Sequence, residues 1–285
     1  MSSCSSRLAR SPSSSTPVGP ASRKQNHLHA AHCILAGTRT ALRRVPESLR
    51  EKCRLVTYAG VEHDMFVPAA NHNSQLPSRN LQPPGLRLLF VGRLVPYKGV
   101  ELLLRAMAVA AKQCRLHLDI AGSADPVHKD FLRQLAGDLG LRIEQPPVGN
   151  PQHATINFLP PRLRNELVAL YQQADVFCFP TLCDTYGIAL LEAMSCGCAP
   201  LVSDVAGAGE IVNGKNGWKV PLRSPEQYIA EYAEKIVALA QNRQFMRNLG
   251  EAARQYILCE HDWNRIGDRV LEIYGEFEAA LKDRN

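Results

Sequence analysis

From residue 86 to residue 220 the chain alternates short apolar runs with amphipathic ones, and no other feature constrains its fold as much. "LRLLFVG" is followed by "GVELLLRAMAVAAKQ", "RLHLDIAG" by residues 126–139, and "ATINFL" by residues 162–173. "DVFCF" is followed by residues 187–196, and "APLVS" by a short turn of helix at "GEIV" and a last strand at "GWKV". Apolar runs without polar alternation read as strands buried on both faces, and the segments between them have helical periodicity. Repeated strand–helix units of this kind predict an α/β fold, a doubly wound parallel sheet covered by helices on both sides. In such sheets ligands bind at the carboxyl ends of the strands, near the point where the strand order reverses.

The flanks read differently. Residues 1–26, rich in Ser, Pro and Arg, cannot bury enough apolar surface to order themselves and read as disordered; a transit peptide has the same composition. Residues 27–70 hold a strand at 33–36, a helix at 38–45 that extends toward 52, and a strand at 54–58. Residues 71–85 are a polar, Pro-rich linker, and 86–285 form the main domain. Its end is helical, opening on Ser224, Pro225 and Gln227, a capping residue followed by Pro at the first helical position.

Composition excludes several classes. The net charge of +6 comes mainly from residues 1–46, which contain no acidic side chain, so no nucleic-acid surface is expected. No apolar run approaches the roughly 18 residues of a spanning helix. The nine cysteines form no CxxC pair and read as reduced, which points to a cytoplasmic location. His27, His29 and His32 lack an acidic neighbour, and no metal site is expected.

Two stretches carry chemistry. Arg93 follows the first strand of the main domain, and Lys98 comes five residues later, in "GRLVPYKG". Gly92 permits close backbone approach there. Two cations at a strand end can neutralise a diphosphate, Arg as a fork and Lys as a point charge; two solvated surface cations are the plain alternative. The second stretch, "FPTLCDTYGIALLEAMSCG", puts Asp184 in a turn and Glu192 inside an apolar helix. Backbone N–H groups from Tyr186 to Leu190 would face the strand-end crevice as a phosphate site. A buried carboxylate needs a donor, either a ribose diol or a buried Arg or Lys. "SDVAGAGEIV" has only part of a dinucleotide fingerprint, since Val212 stands at the third glycine, and a dehydrogenase is rejected.

In order and spacing, "LLFVGRLVPYKGVELLLRAM", "ADVFCFPTLCDTYGIALLEAMSCGCAPLVSDVAGAGEIV" and "NGKNGWKVP" resemble the C-terminal domain of GT-B-fold retaining glycosyltransferases of group 1, family 4. The resemblance implies transfer of a sugar from a nucleoside-diphosphate sugar to an acceptor hydroxyl, with retention and without a metal or other cofactor. It implies Arg93 and Lys98 as ligands of the donor diphosphate, and Glu192 as the group holding the ribose hydroxyls. The amides of Gly187 and Ile188 would meet phosphate and sugar, with Gly92, Tyr186 and Leu191 as further donor contacts. Asp184 stands where the family has a glutamate touching the donor sugar, one methylene shorter. Arg93, Lys98 and Asp184 are thus the expected catalytic groups. Residues 27–70 would be the end of an N-terminal domain whose remainder, in the family, supplies the acceptor site. A non-catalytic nucleotide-sugar-binding module therefore stays open beside the enzyme. The acceptor is not specified, and the resemblance leaves room for peripheral membrane association.

Overall fold

The computed structural model describes residues 23–69, 85–143 and 154–282. The expected disordered stretch 1–22 and linker stretch 71–84 lie outside the described residues. The first part comprises α1 (Arg23–Ala30), β1 (Ile34–Ala36), α2 (Arg39–Arg43), a 3-10 turn (Glu47–Lys52) and β2 (Cys53–Leu55). The second follows as β3 (Leu86–Val91), a 3-10 turn (Pro96–Lys98), α3 (Val100–Ala110), β4 (Leu116–Ala121), α4 (Pro126–Asp138), β5 (Arg142–Ile143), β6 (Thr155–Leu159), α5 (Arg164–Gln173) and β7 (Val176–Phe179). It continues with α6 (Ile188–Ser195), β8 (Ala199–Ser203), α7 (Ala206–Ile211), β9 (Trp218–Val220), α8 (Pro225–Gln241), α9 (Arg243–Glu260) and α10 (Trp263–Lys282).

The seven strands β3–β9 form one parallel sheet in the order β5-β6-β4-β3-β7-β8-β9. The chain moves outward from β3 to β4 and on to the edge strand β5, steps back to β6 between them, then crosses to the other side of β3 with β7. The order therefore reverses between β3 and β7, as expected of a doubly wound sheet. Along β3, Leu86, Leu88 and Phe90 face one apolar cluster with α3 and α8, while Leu89 and Val91 face another with α6 and α9. Burial on both faces explains the near-continuous apolar runs of β3, β7 and β8, whereas β4 alternates, with His117 and Asp119 between its buried apolar residues. Truncating a fully buried side chain such as Leu88 to Ala would cost about 2–5 kcal/mol.

Several expectations are corrected. Residues 23–26 are helical, part of α1, because "RKQNHLHA" is made largely of good helix formers and Lys52 Nζ donates to the carbonyls of His29 and Ala31 near its end. The helix expected at 38–45 forms as α2, but its extension toward 52 does not: Pro46, with φ of −49° and ψ of 138°, leaves helical space and a 3-10 turn follows. Strand β2 stops at Leu55 rather than residue 58, and two-residue β5, too short to show a period, was not expected. The helical end is three helices. Asn242 caps α9 by accepting from Phe245 N at 2.9 Å, and Asp262 accepts from the amides of Asn264 and Arg265 at the start of α10.

β1 and β2 pair in parallel as a separate ribbon. Glu210, in α7, fastens it to the sheet by accepting from Arg39 N, Thr40 N and Thr40 Oγ1 at 2.6–2.8 Å. The following segment is held by Val61 N to the His261 carbonyl at 2.9 Å, and by Ser195 Oγ to the Phe66 carbonyl at 2.7 Å. The eight described cysteines are all free. Among the described residues no helix is long and apolar enough to cross a membrane.

Candidate functional site

The loops after β3 and β7 leave the sheet at the reversal point and are tied together. Leu182 N donates to the Tyr97 carbonyl at 2.7 Å, and Thr181 Oγ1 to the same oxygen at 3.3 Å. Gly99 lies against Pro180 so closely that a Cβ there would come within 2.0 Å of the Pro180 carbonyl oxygen, and its φ is +72°. No side chain fits. This contact sets Lys98, one residue earlier, beside the turn that carries Asp184.

Lys98 Nζ donates to Asp184 Oδ2 and lies 5.4 Å from the centroid of the Phe179 ring. Asp184 Oδ1 accepts from the amides of Tyr186 and Gly187 at 3.2 and 3.1 Å. An Asp in a turn commonly binds its own backbone in this way. Arg93 is exposed, and its Nη2 donates to Tyr97 Oη at 2.6 Å. Of the amides expected to face the crevice, those of Tyr186 and Gly187 are engaged by Asp184, and that of Leu190 by the Gly187 carbonyl at 2.9 Å. The amides of Ile188 and Ala189 have no partner among the described residues.

One turn into α6, Glu192 is only 5% exposed, and it is not alone. Its Oε1 accepts from Arg164 Nε at 3.2 Å, and its Oε2 from Tyr171 Oη at 3.0 Å. Burial pushes its carboxyl above the ordinary range, against the opposing pull of Tyr171 and Arg164. Arg164 also reaches Glu62 at 2.7 Å and lies over the Phe66 ring. The structure thus supplies an Arg partner from α5, and it leaves Arg164 half exposed at the mouth of the pair.

Arg93, Lys98, Asp184, Gly187 and the start of α6 are gathered by the same pair of loops, with Gly92 at the end of β3. Two of the residues expected as donor contacts have buried side chains. Leu191 is fully buried in an apolar cluster, because α6 is apolar nearly all round and the sequence does not mark which side faces the core. Tyr186 is 7% exposed and packs its ring on Tyr58 and His261 at 5.0 and 5.8 Å. Conversely, Tyr97 and Arg164 are site residues that sequence reasoning passed over. Tyr97 stood between the two named cations, but Arg164 gave no signal.

A cavity of about 590 Å³ lies elsewhere, between the β1–β2 ribbon, α7 and the α9–α10 junction. Thr38, Glu210, Tyr256, His261 and Arg265 line it, and neither Lys98 nor Glu192 does. Of its polar groups, Glu210 is spent on α2 and His261 on the Ala59 carbonyl. His117, Asp119, Thr155 and Asn157 form another polar group on β4 and β6, satisfied among themselves.

The sequence model of the family described as "Glycosyl transferases group 1" matches residues 75–256. A D-inositol 3-phosphate glycosyltransferase of Salinispora arenicola is 29% identical over 242 residues, 79% of this chain and 50% of that protein. The chain spans about half the length of the curated relatives it matches. A sucrose-phosphate synthase from Thermosynechococcus elongatus superposes with a TM-score of 0.68 at 24% identity, covering 90% of this chain and 61% of that one. Anabaena HepE, solved in complex with UDP and glucose, superposes with a TM-score of 0.67 at 18% identity, covering 88% of this chain and 67% of that one. These likenesses establish the fold, the Rossmann-like half of a GT-B architecture. With the family pattern running through both loops of the site and the sheet that carries them, the chain belongs to the group 1 glycosyl transferases.

Proposed function

We propose that this chain forms the donor half of a glycosyltransferase that moves a sugar from a nucleoside-diphosphate sugar to an acceptor hydroxyl, with retention at the anomeric carbon. The observation that carries the reading is the meeting of Arg93, Lys98 and the α6 N-terminus at the reversal point of the sheet, one helical turn from the buried Glu192. Arg93 and Lys98 bind the diphosphate. As the bond to the sugar breaks, negative charge grows on the departing phosphate, and fixed cations beside it stabilise that charge more than the ground state. The amides of Ile188 and Ala189 add partial positive charge from the helix end. Glu192 exchanges Arg164 for the ribose hydroxyls, keeping Tyr171 as its inner donor. Arg93, Lys98 and the amides at the helix end supply positive charge for this departure, and the reading includes neither a metal nor another cofactor. The HepE structure, with UDP and glucose bound to the same fold, supports a nucleotide sugar as ligand.

Thermal unfolding against UDP, GDP, ADP and their sugars, in wild type and Glu192→Ala, tests this. A ligand at about 100 times its dissociation constant adds roughly 2.7 kcal/mol, a rise in Tm of several degrees. The expected result is that one nucleotide raises the wild-type Tm and leaves Glu192→Ala unmoved. If no nucleotide shifts the wild type, the donor reading falls. If a nucleotide sugar binds but is neither hydrolysed nor transferred, the chain is a binding module rather than an enzyme.

A further inference from the structure

We propose that Asp184 competes with phosphate for Lys98, and so sets how tightly the crevice holds a nucleoside diphosphate. This rests on the reading of Arg93 and Lys98 as diphosphate ligands and adds a restraint to it.

The geometry makes the competition hard to avoid. Lys98 and Asp184 are each 15% exposed, so neither side chain is free to swing into solvent and leave the other. Asp184 cannot turn aside, because its second oxygen accepts from the amides of Tyr186 and Gly187. The backbone that carries Lys98 is held too, since the Tyr97 carbonyl is bonded to Leu182 N and Gly99 touches Pro180. Both partners are therefore fixed on loops that are fixed to each other.

The charges follow directly. An ammonium has three donors but a single positive charge, and Asp184 already balances it. Before ligand arrives, the net charge carried by Arg93, Lys98 and Asp184 is that of one cation. A diphosphate entering here brings its negative charge up to a carboxylate as well as to the two cations. It gains Lys98 only to the extent that it draws the ammonium away from Asp184. Held in place, the carboxylate lowers the affinity for every phosphate that occupies the site, including the diphosphate left after sugar transfer. On this account Asp184 is a positioning residue with an attenuating charge. Its engaged oxygens place it on Lys98 and on the loop amides, rather than on a sugar hydroxyl.

Asp184→Asn separates the two roles. Its side-chain carbonyl still accepts from Tyr186 and Gly187, so the turn persists, but the charge on Lys98 is no longer balanced. Titration calorimetry of UDP, GDP and ADP against wild type identifies the base, and the matching nucleoside serves as control. For the nucleotide that binds, Asp184→Asn is expected to tighten the diphosphate roughly five- to tenfold and to leave the nucleoside unchanged. Asp184→Glu, which keeps the charge, is expected to show no such gain. Should the Asn variant unfold, Asp184→Ser carries the same expectation, since a hydroxyl also accepts from the turn amides. Lys98→Ala is expected to weaken the diphosphate about tenfold or more. If Lys98→Ala weakens it while Asp184→Asn leaves it unchanged or weaker, Asp184 is not a competitor and only this inference fails. If Lys98→Ala has no effect, or if none of the three diphosphates binds wild type, the diphosphate reading itself fails and takes the inference with it.

Discussion

The two ends of the crevice hold their carboxylates in opposite ways. Asp184 sits in a turn, faces one ammonium and two amides, and is joined to Lys98 across two loops. Glu192 sits in the middle of a helix, 5% exposed, between a buried phenol and a half-exposed guanidinium. At the outer end the geometry depends on loop-to-loop contact. At the inner end it depends on burial, which raises the energy of the charge and makes each hydrogen bond count for more. A ligand must therefore exchange partners differently at the two ends: against an ion pair held across two loops at Lys98, and against a buried ion pair at Glu192.

The contrast can be broken most severely at Gly99. Gly99→Ala puts a methyl 2.0 Å from the Pro180 carbonyl oxygen in a left-handed backbone conformation. The expected cost is about 3–5 kcal/mol, read as a Tm lower by about 10 °C, together with loss of nucleotide binding. A variant with wild-type Tm would mean that the two loops are not clamped at this point.

Tyr171→Phe tests the inner end. It removes one of the two donors to Glu192, and the expected loss is roughly 1.5–3 kcal/mol at neutral pH by denaturant titration. The sign of its pH dependence follows from linkage. The Glu192 carboxyl has a folded pKa raised above its ordinary 4.5, so its protonation favours the folded state. That contribution is present below the unfolded pKa and lost as pH rises through the folded one. Removing Tyr171 Oη raises the folded pKa further, so the variant's deficit should be larger at pH 8 than at pH 5. An equal deficit at both would show that the hydroxyl does not serve the ionised carboxylate.

The smallest effect belongs to Tyr97→Phe. Its backbone carbonyl still binds Leu182, and only the contact from Arg93 is lost. Stability should change by less than about 0.5 kcal/mol, while affinity for a nucleoside diphosphate falls about threefold, because an exposed Arg without that anchor pays more rotamer entropy on binding. No change in affinity would show that Arg93 needs no anchor.

Much of this was legible beforehand. Period and length marked every strand of the main sheet except β5, because burial gives even the strands with polar residues a run of regularly placed apolar ones, and two residues are too few to show it. Arg93, Lys98, Asp184 and Glu192 were legible because charge or a turn interrupts an apolar pattern where a parallel sheet places its ligands. The helix over residues 23–26 was hidden by the Ser-rich composition before it. The engagement of the Tyr186 and Gly187 amides was hidden too, since a turn residue that binds its own backbone looks the same in sequence as one that faces a ligand.

By itself, then, the order of residues determined the parallel sheet, the reversal that opens a crevice, and which charges stand at its rim, since these depend on local period and on handed strand–helix connections. Tertiary structure alone decided who meets whom. Arg164 and Tyr171 reach Glu192 across 28 and 21 positions, and Glu210 caps a helix 170 positions away. Such partners are chosen by the packing of elements whose separation in sequence carries no information about their distance in space. The same packing brings Lys98 to Asp184, two charges that the sequence could show only singly.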